Sequence, residues 1–228
     1  MADSELGLVG RAVSEITGEV TAVALELLDP ACRQLVEELR EKCPDALACA
    51  PVKLPPGATA PPVVIDPKRS AALFTIAFTA AARAPAGAAG QAAAVVWADG
   101  EHELLVYPGR TRVLFQDGFV LVGVAVFTEQ SGAVEISVPF AVGRASAPTG
   151  LMIATEPVPR GPALLVERWG DQLIAAAWQA LLYVASGAAA AAGTDSTGQP
   201  LIPAAVAAGD TGLTVLPQAT PAIAGAGA

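Results

Sequence analysis

Charge is scarce in this chain and histidine nearly absent: 15% of the 228 residues are Asp, Glu, Lys or Arg, and a single one is His. Zinc and iron sites usually draw on several His or Cys ligands, so a lone imidazole leaves any such set incomplete. Cysteine is also sparse. Cys32, Cys43 and Cys49 make an odd number with neither a paired CxxC motif nor a disulfide framework spacing. Reduced thiols and a cytoplasmic location are therefore expected. If residues 29–44 form a helix, Cys32 and Cys43 lie about 16 Å apart along it, too far to bridge. They read as small core hydrophobes.

Positive charge is the scarcer sign. Thirteen Lys and Arg face 22 Asp and Glu, for a net charge of −9. A nucleic-acid backbone is repelled by such a surface unless bases gather locally. The largest gatherings, Lys68-Arg69 and Arg110 with Arg112, hold two charges each, so no nucleic-acid partner is expected. Arginine outnumbers lysine and alanine is abundant, as in proteins of GC-rich bacterial genomes. Met1 to Glu5 shows neither the basic start nor the apolar core of a secretory signal. Nucleophile elbows, P-loops and dinucleotide-binding glycine patterns are missing. Gly87-Ala88-Ala89-Gly90 lacks the Lys-Ser/Thr that a phosphate loop needs. No cofactor is expected.

Hydrophobic residues, by contrast, make up 53% of the chain. Much of that is alanine, which buries little area. Val, Leu, Ile and Phe cluster between positions 6 and 184, where a sizeable core is expected. Leu173 to Gly193 carries no charge and is long enough to span a bilayer. Its Ala and Gly content and the lack of a following Lys or Arg favour a buried helix instead.

The expected fold is α+β: an antiparallel meander of roughly six strands, flanked by two N-terminal helices and one long C-terminal helix, with an irregular tail. Residues 1–49 form the helical pair. Val9, Val13, Ile16, Val20, Val23 and Leu27 recur at helical spacing over residues 3–28, one apolar stripe. Asp29-Pro30 then caps a second helix, which Pro44 ends. Residues 50–70 read as a proline-rich linker, with Val63-Val64-Ile65 as a short edge strand inside it.

Residues 71–186 hold the sheet and the long helix. Leu73 to Thr79 alternates as a strand, with Phe74, Ile76 and Phe78 on one face. Ala94–Ala98 turns at Asp99-Gly100 into Leu104–Tyr107. Pro108-Gly109 turns that strand into Thr111–Phe115, and Asp117-Gly118 leads on to Phe119–Phe127. This last run has no polar side chain and calls for cover on both faces. Ala133–Val142 alternates cleanly, and Pro139 marks an edge or bulge. A further strand is expected at Leu151–Thr155. A helix follows from Pro162 to Ala185. Residues 187–228 form a tail of low complexity with two small apolar clusters, Leu201-Ile202 and Leu213, Val215 and Leu216. Its composition cannot by itself offset the entropy of ordering.

One cluster has chemical potential. Asp99, Glu101, His102 and Glu103 put three carboxylates and the only imidazole within five residues. Carboxylate oxygens suit a hard divalent cation, and a histidine beside carboxylates can act as a base. A solvated hairpin turn is the plainer reading. Ser146 has no identifiable base. Phe115, Phe119, Phe127 and Trp97 would line an apolar ligand cavity if the sheet curved under a helix.

Surfaces that demand cover outnumber these candidates. The stripe Val9, Val13, Ile16, Val20, Val23 and Leu27, and the tail residues Leu201, Ile202, Leu213, Val215 and Leu216, all suit contact with protein. The expected function is a non-catalytic assembly or interaction subunit, self-associating or docked in a larger bacterial complex. The alternatives are a module for small apolar ligands and, behind it, a metal-assisted enzyme built on Asp99–Glu103.

Overall fold

The computed structural model describes residues 60–82, 94–144 and 159–219. In chain order they form β1 (Val63–Ile65), α1 (Pro67–Ala81), β2 (Val95–Asp99), β3 (His102–Gln116), β4 (Phe119–Thr128), β5 (Gly132–Ala141), β6 (Gly143–Arg144), α2 (Ala163–Ala191), β7 (Ile202–Gly209) and β8 (Gly212–Gln218). The architecture is α+β with a long C-terminal helix, as expected, but its details differ. Two four-stranded sheets replace the single meander of about six, with orders β2-β3-β4-β5 and β1-β8-β7-β6. The expected N-terminal helices, and the strand at 151–155, lie outside the described residues.

The first correction concerns Leu73–Thr79, which is helical. Asp66 caps α1 by accepting the Lys68 N–H at 2.6 Å, and Pro67 opens the helix. This is the signal already seen at Asp29-Pro30. The buried set is Ser70, Leu73, Phe74, Ala77 and Phe78, spaced three, one, three and one. That is a helix stripe; the alternation of Phe74, Ile76 and Phe78 is incidental. β1 is the short edge strand expected at Val63-Val64-Ile65, whereas the end of the stretch expected as linker supplies the start of α1.

The meander β2–β5 is antiparallel throughout. Pro108-Gly109 makes no turn within it. β3 continues past as one 15-residue strand, and its register with β4 shifts between Tyr107 and Arg112. Proline supplies no N–H to a ladder, so the chain bulges there rather than reversing. The Thr111 hydroxyl closes the bulge by donating to the Pro108 carbonyl at 2.7 Å.

The tail is the largest departure. β7 and β8 form a hairpin whose second strand, β8, pairs with β1. Gly212 makes this possible. Its φ is +114°, and a Cβ there would clash with the Ile65 carbonyl, so only glycine fits. A segment too poor in large side chains to fold alone is ordered by β1 and by α2 beneath it.

The same α2 runs to Ala191, beyond the expected end at Ala185. Gly187 does not stop it. A helical glycine costs about 1 kcal/mol relative to alanine, and burial of Ser186 through Ala190 outweighs that. By length and composition α2 could cross a membrane, yet 72% of its most apolar window is buried inside the fold.

Both sheets and both helices share one core. α1 packs on β3 and on α2, while α2 meets β1, β5, β7 and β8. Phe74 meets Phe115 edge-on at 6.5 Å, and Phe140 meets Trp178 at 5.8 Å. The sheets join at one corner. β5 continues through Val142 into β6, which pairs in parallel with β7. The Asp117-Gly118 turn fastens this corner: Gly118 donates to Ala208 at 3.1 Å and accepts from Val142 at 2.9 Å.

Candidate interaction surface

The acidic hairpin comes first, because the sequence gives it the most chemistry. Gly100, at φ +61°, turns β2 into β3, and Asp99 pairs with His102 across the ladder. Asp99, Glu101, His102 and Glu103 are all exposed. Asp99 reaches sideways to Arg168 of α2, Oδ2 to Nε at 3.8 Å. Among the described residues no three His, Cys, Asp or Glu side chains gather as a metal ion requires. The cluster is a turn leaning on a helix.

The aromatic candidates separate as well. Phe115 and Trp97 pack toward the shared core. Phe119 and Phe127 stand on the opposite face of the sheet, at 44% exposure and half-buried respectively. The four do not surround a common space. Of the tail residues, Leu201, Ile202, Leu213 and Val215 are buried by the chain itself and Leu216 partly so. No second molecule is needed to cover them. Val9, Val13, Ile16, Val20, Val23 and Leu27 lie outside the described residues.

What remains open is the outer face of the meander. Alternation sends one half of each strand inward. Val120, Val122, Val124 and Val126 of β4 are buried to 1% exposure or less. The other half faces out and falls into rows set by the register. Val96, Leu105, Phe127 and Ala133 form the first row; Tyr107, Ala125 and Glu135 the second. Arg112, Gly123 and Ser137 form the third, and Leu114, Leu121 and Pro139 the fourth. Val96 is 54% exposed and Leu114 59%. Two apolar ridges thus flank a polar middle.

The bulge shapes that middle. It lifts Arg110 onto the outer face, where its guanidinium lies 5.2 Å from the Tyr107 ring centroid, a cation–π contact. Arg112 Nε sits 3.6 Å from Glu135 Oε2. This pair closes over Gly123, where an added Cβ would lie 3.0 Å from Glu135 Oε1. Between the pair and the first ridge lies a trough of about 500 Å³, lined by Tyr107, Arg110, Ala125, Val134 and Glu135 among others.

No family model, no curated protein and no solved structure matches the chain. The surface is therefore read from its own chemistry.

The ion pairs here are modest. Exposed pairs contribute about 0–1 kcal/mol each, so Arg112 and Glu135 can exchange partners cheaply. Arg110 forms no ion pair among the described residues, although the chain as a whole is strongly acidic. The sequence carried the signal for this surface in the demand of Phe119–Phe127 for cover on both faces, which the described residues meet on the inner face only. Phe119 to Phe127 has no polar residue, yet β4 can point only half its side chains inward. An apolar outward half was implied from the start.

Proposed function

We propose that the protein is a non-catalytic interaction subunit, of the cytoplasm and of a larger bacterial assembly, that associates through the outer face of the β2–β5 meander. One observation carries this reading: Val96, Leu114 and Phe119 stand 44–59% exposed on a face whose inner side is fully packed. Large apolar side chains scattered singly need no explanation, but ridges of them around arginines mark contact surfaces.

The test is native mass spectrometry and light scattering of the full chain over a range of concentrations. A species heavier than one chain is expected, lost when Leu114→Glu and Phe119→Glu are combined. A monomer at every concentration, or assemblies indifferent to these substitutions, would count against the reading.

A further inference from the structure

The trough lies over Ala125, between the first ridge and the Arg112–Glu135 pair. Its two sides differ: beyond Ala133 the first ridge is apolar, through Leu105 and Phe127, and the other side carries Arg112, with Arg110 at the end near Tyr107. A fitting helix would therefore be apolar beneath and acidic along one flank.

The chain carries such a segment. Residues 3–28 hold the stripe Val9, Val13, Ile16, Val20, Val23 and Leu27, with Asp3, Glu5, Glu15, Glu19 and Glu26 against the single base Arg11. At 3.6 residues per turn, Glu15, Glu19 and Glu26 all fall on the same side of the stripe, about a quarter-turn from it. The opposite side holds Asp3 at its start and then Gly10, Ser14, Thr17, Thr21 and Leu28. From residue 9 onward, acid on one flank and uncharged residues on the other match the two sides of the trough.

We propose that the trough takes residues 3–28 of a second copy of this chain, its acidic flank against Arg110 and Arg112. The proposal rests on the association reading above, since a segment folded onto its own trough would leave that surface without a partner. Helix-in-groove recognition of this kind draws affinity from the apolar anchors and register from the charges.

Full-length protein with a photo-crosslinking residue in place of Val96 tests this. Unlabelled and heavy-nitrogen-labelled chains are mixed, equilibrated and irradiated, and the joined peptides are sequenced by mass spectrometry. The expected product joins β2 of one label to residues 3–28 of the other. Joined peptides of one label only, or from another segment, overturn the proposal. Native mass measured on the same sample separates the two levels. Assemblies crosslinked elsewhere retain association and remove this occupant; a monomer removes both. In the unmodified full chain, Ile16→Glu with Val20→Glu should weaken association about tenfold or more, as should Arg110→Glu, with circular dichroism unchanged. Restoration by Glu15→Arg with Glu19→Arg in the Arg110→Glu chain marks a direct charge contact. Undiminished association in both variants overturns the assignment.

Discussion

The inner and outer faces of the β2–β5 sheet come from the same four strands and the same alternation, yet they are built for different neighbours. Inside, Leu104, Val106, Val122, Ile136 and Val138 are wholly buried, and α1 and α2 supply the cover. Outside, the residues between them are as apolar at the ridges but, among the described residues, meet nothing of comparable extent. Branched aliphatics fill the inner face, whereas Ala125 leaves the outer one hollow beside the Arg112–Glu135 pair. A face filled by side chains specifies a fold. A face left hollow, rimmed by arginine, has shape to offer something else.

Substitutions sharpen this contrast, beginning with the largest expected effect. Phe74→Ala should cost about 3–5 kcal/mol in urea unfolding, as a large core side chain removed, while Phe119→Ala should cost about 0.5 kcal/mol or less, as an exposed one. Equal costs would erase the distinction. Gly212→Ala should cost about 3 kcal/mol through left-handed strain and the clash with Ile65, and limited proteolysis should then attack the β7–β8 hairpin first. Asp66→Ala should remove about 1 kcal/mol by uncapping α1, lowering the unfolding midpoint without altering the assembled mass. Leu114→Glu should barely move stability, by about 0.5 kcal/mol at most, yet reduce association in light scattering.

The smallest effect concerns pH. Thr197's hydroxyl hydrogen bond, joined by the N–H groups of Thr197, Gln199 and Gly198, holds the Asp195 carboxyl below its ordinary value of 3.8. A lowered folded-state pKa adds stability above the unfolded value and loses it as pH falls through the folded one. Thermal unfolding of the wild type should thus lose more of its midpoint on acidification below pH ~4 than Asp195→Asn does. Parallel curves would show the turn to be energetically silent.

Much of the inner face was legible in the sequence. Ala133–Val142 alternates as it packs, and the Asp99-Gly100 and Asp117-Gly118 turns fall where their dipeptides place them. Two signals were legible but outweighed. Asp66-Pro67 announces a helix, and the alternation of three aromatic and aliphatic residues after it obscured that. Pro108-Gly109 announces a turn, but pairing with β4 on either side held the strand together across a bulge. The hairpin at Ile202–Gln218 was not legible, because its stability resides in a partner strand near the other end of the described chain. The acidic turn at Asp99 was legible as a cluster and not as a surface feature. Whether neighbouring carboxylates converge depends on which way a hairpin turns them. The trough depends on a bulge and a register, neither of which composition records.

The pairing of β1 with β8 also has a consequence in time. Among the described strands, the first to leave the ribosome waits for the last before its edge is satisfied. Contacts so distant in sequence are slow to form, since loop closure must precede any return. Until β8 emerges, β1 and the half-built second sheet expose unpaired backbone. The meander, closed by local hairpins, can form while synthesis continues. The nascent chain therefore presents its outer face before it has finished becoming a stable molecule.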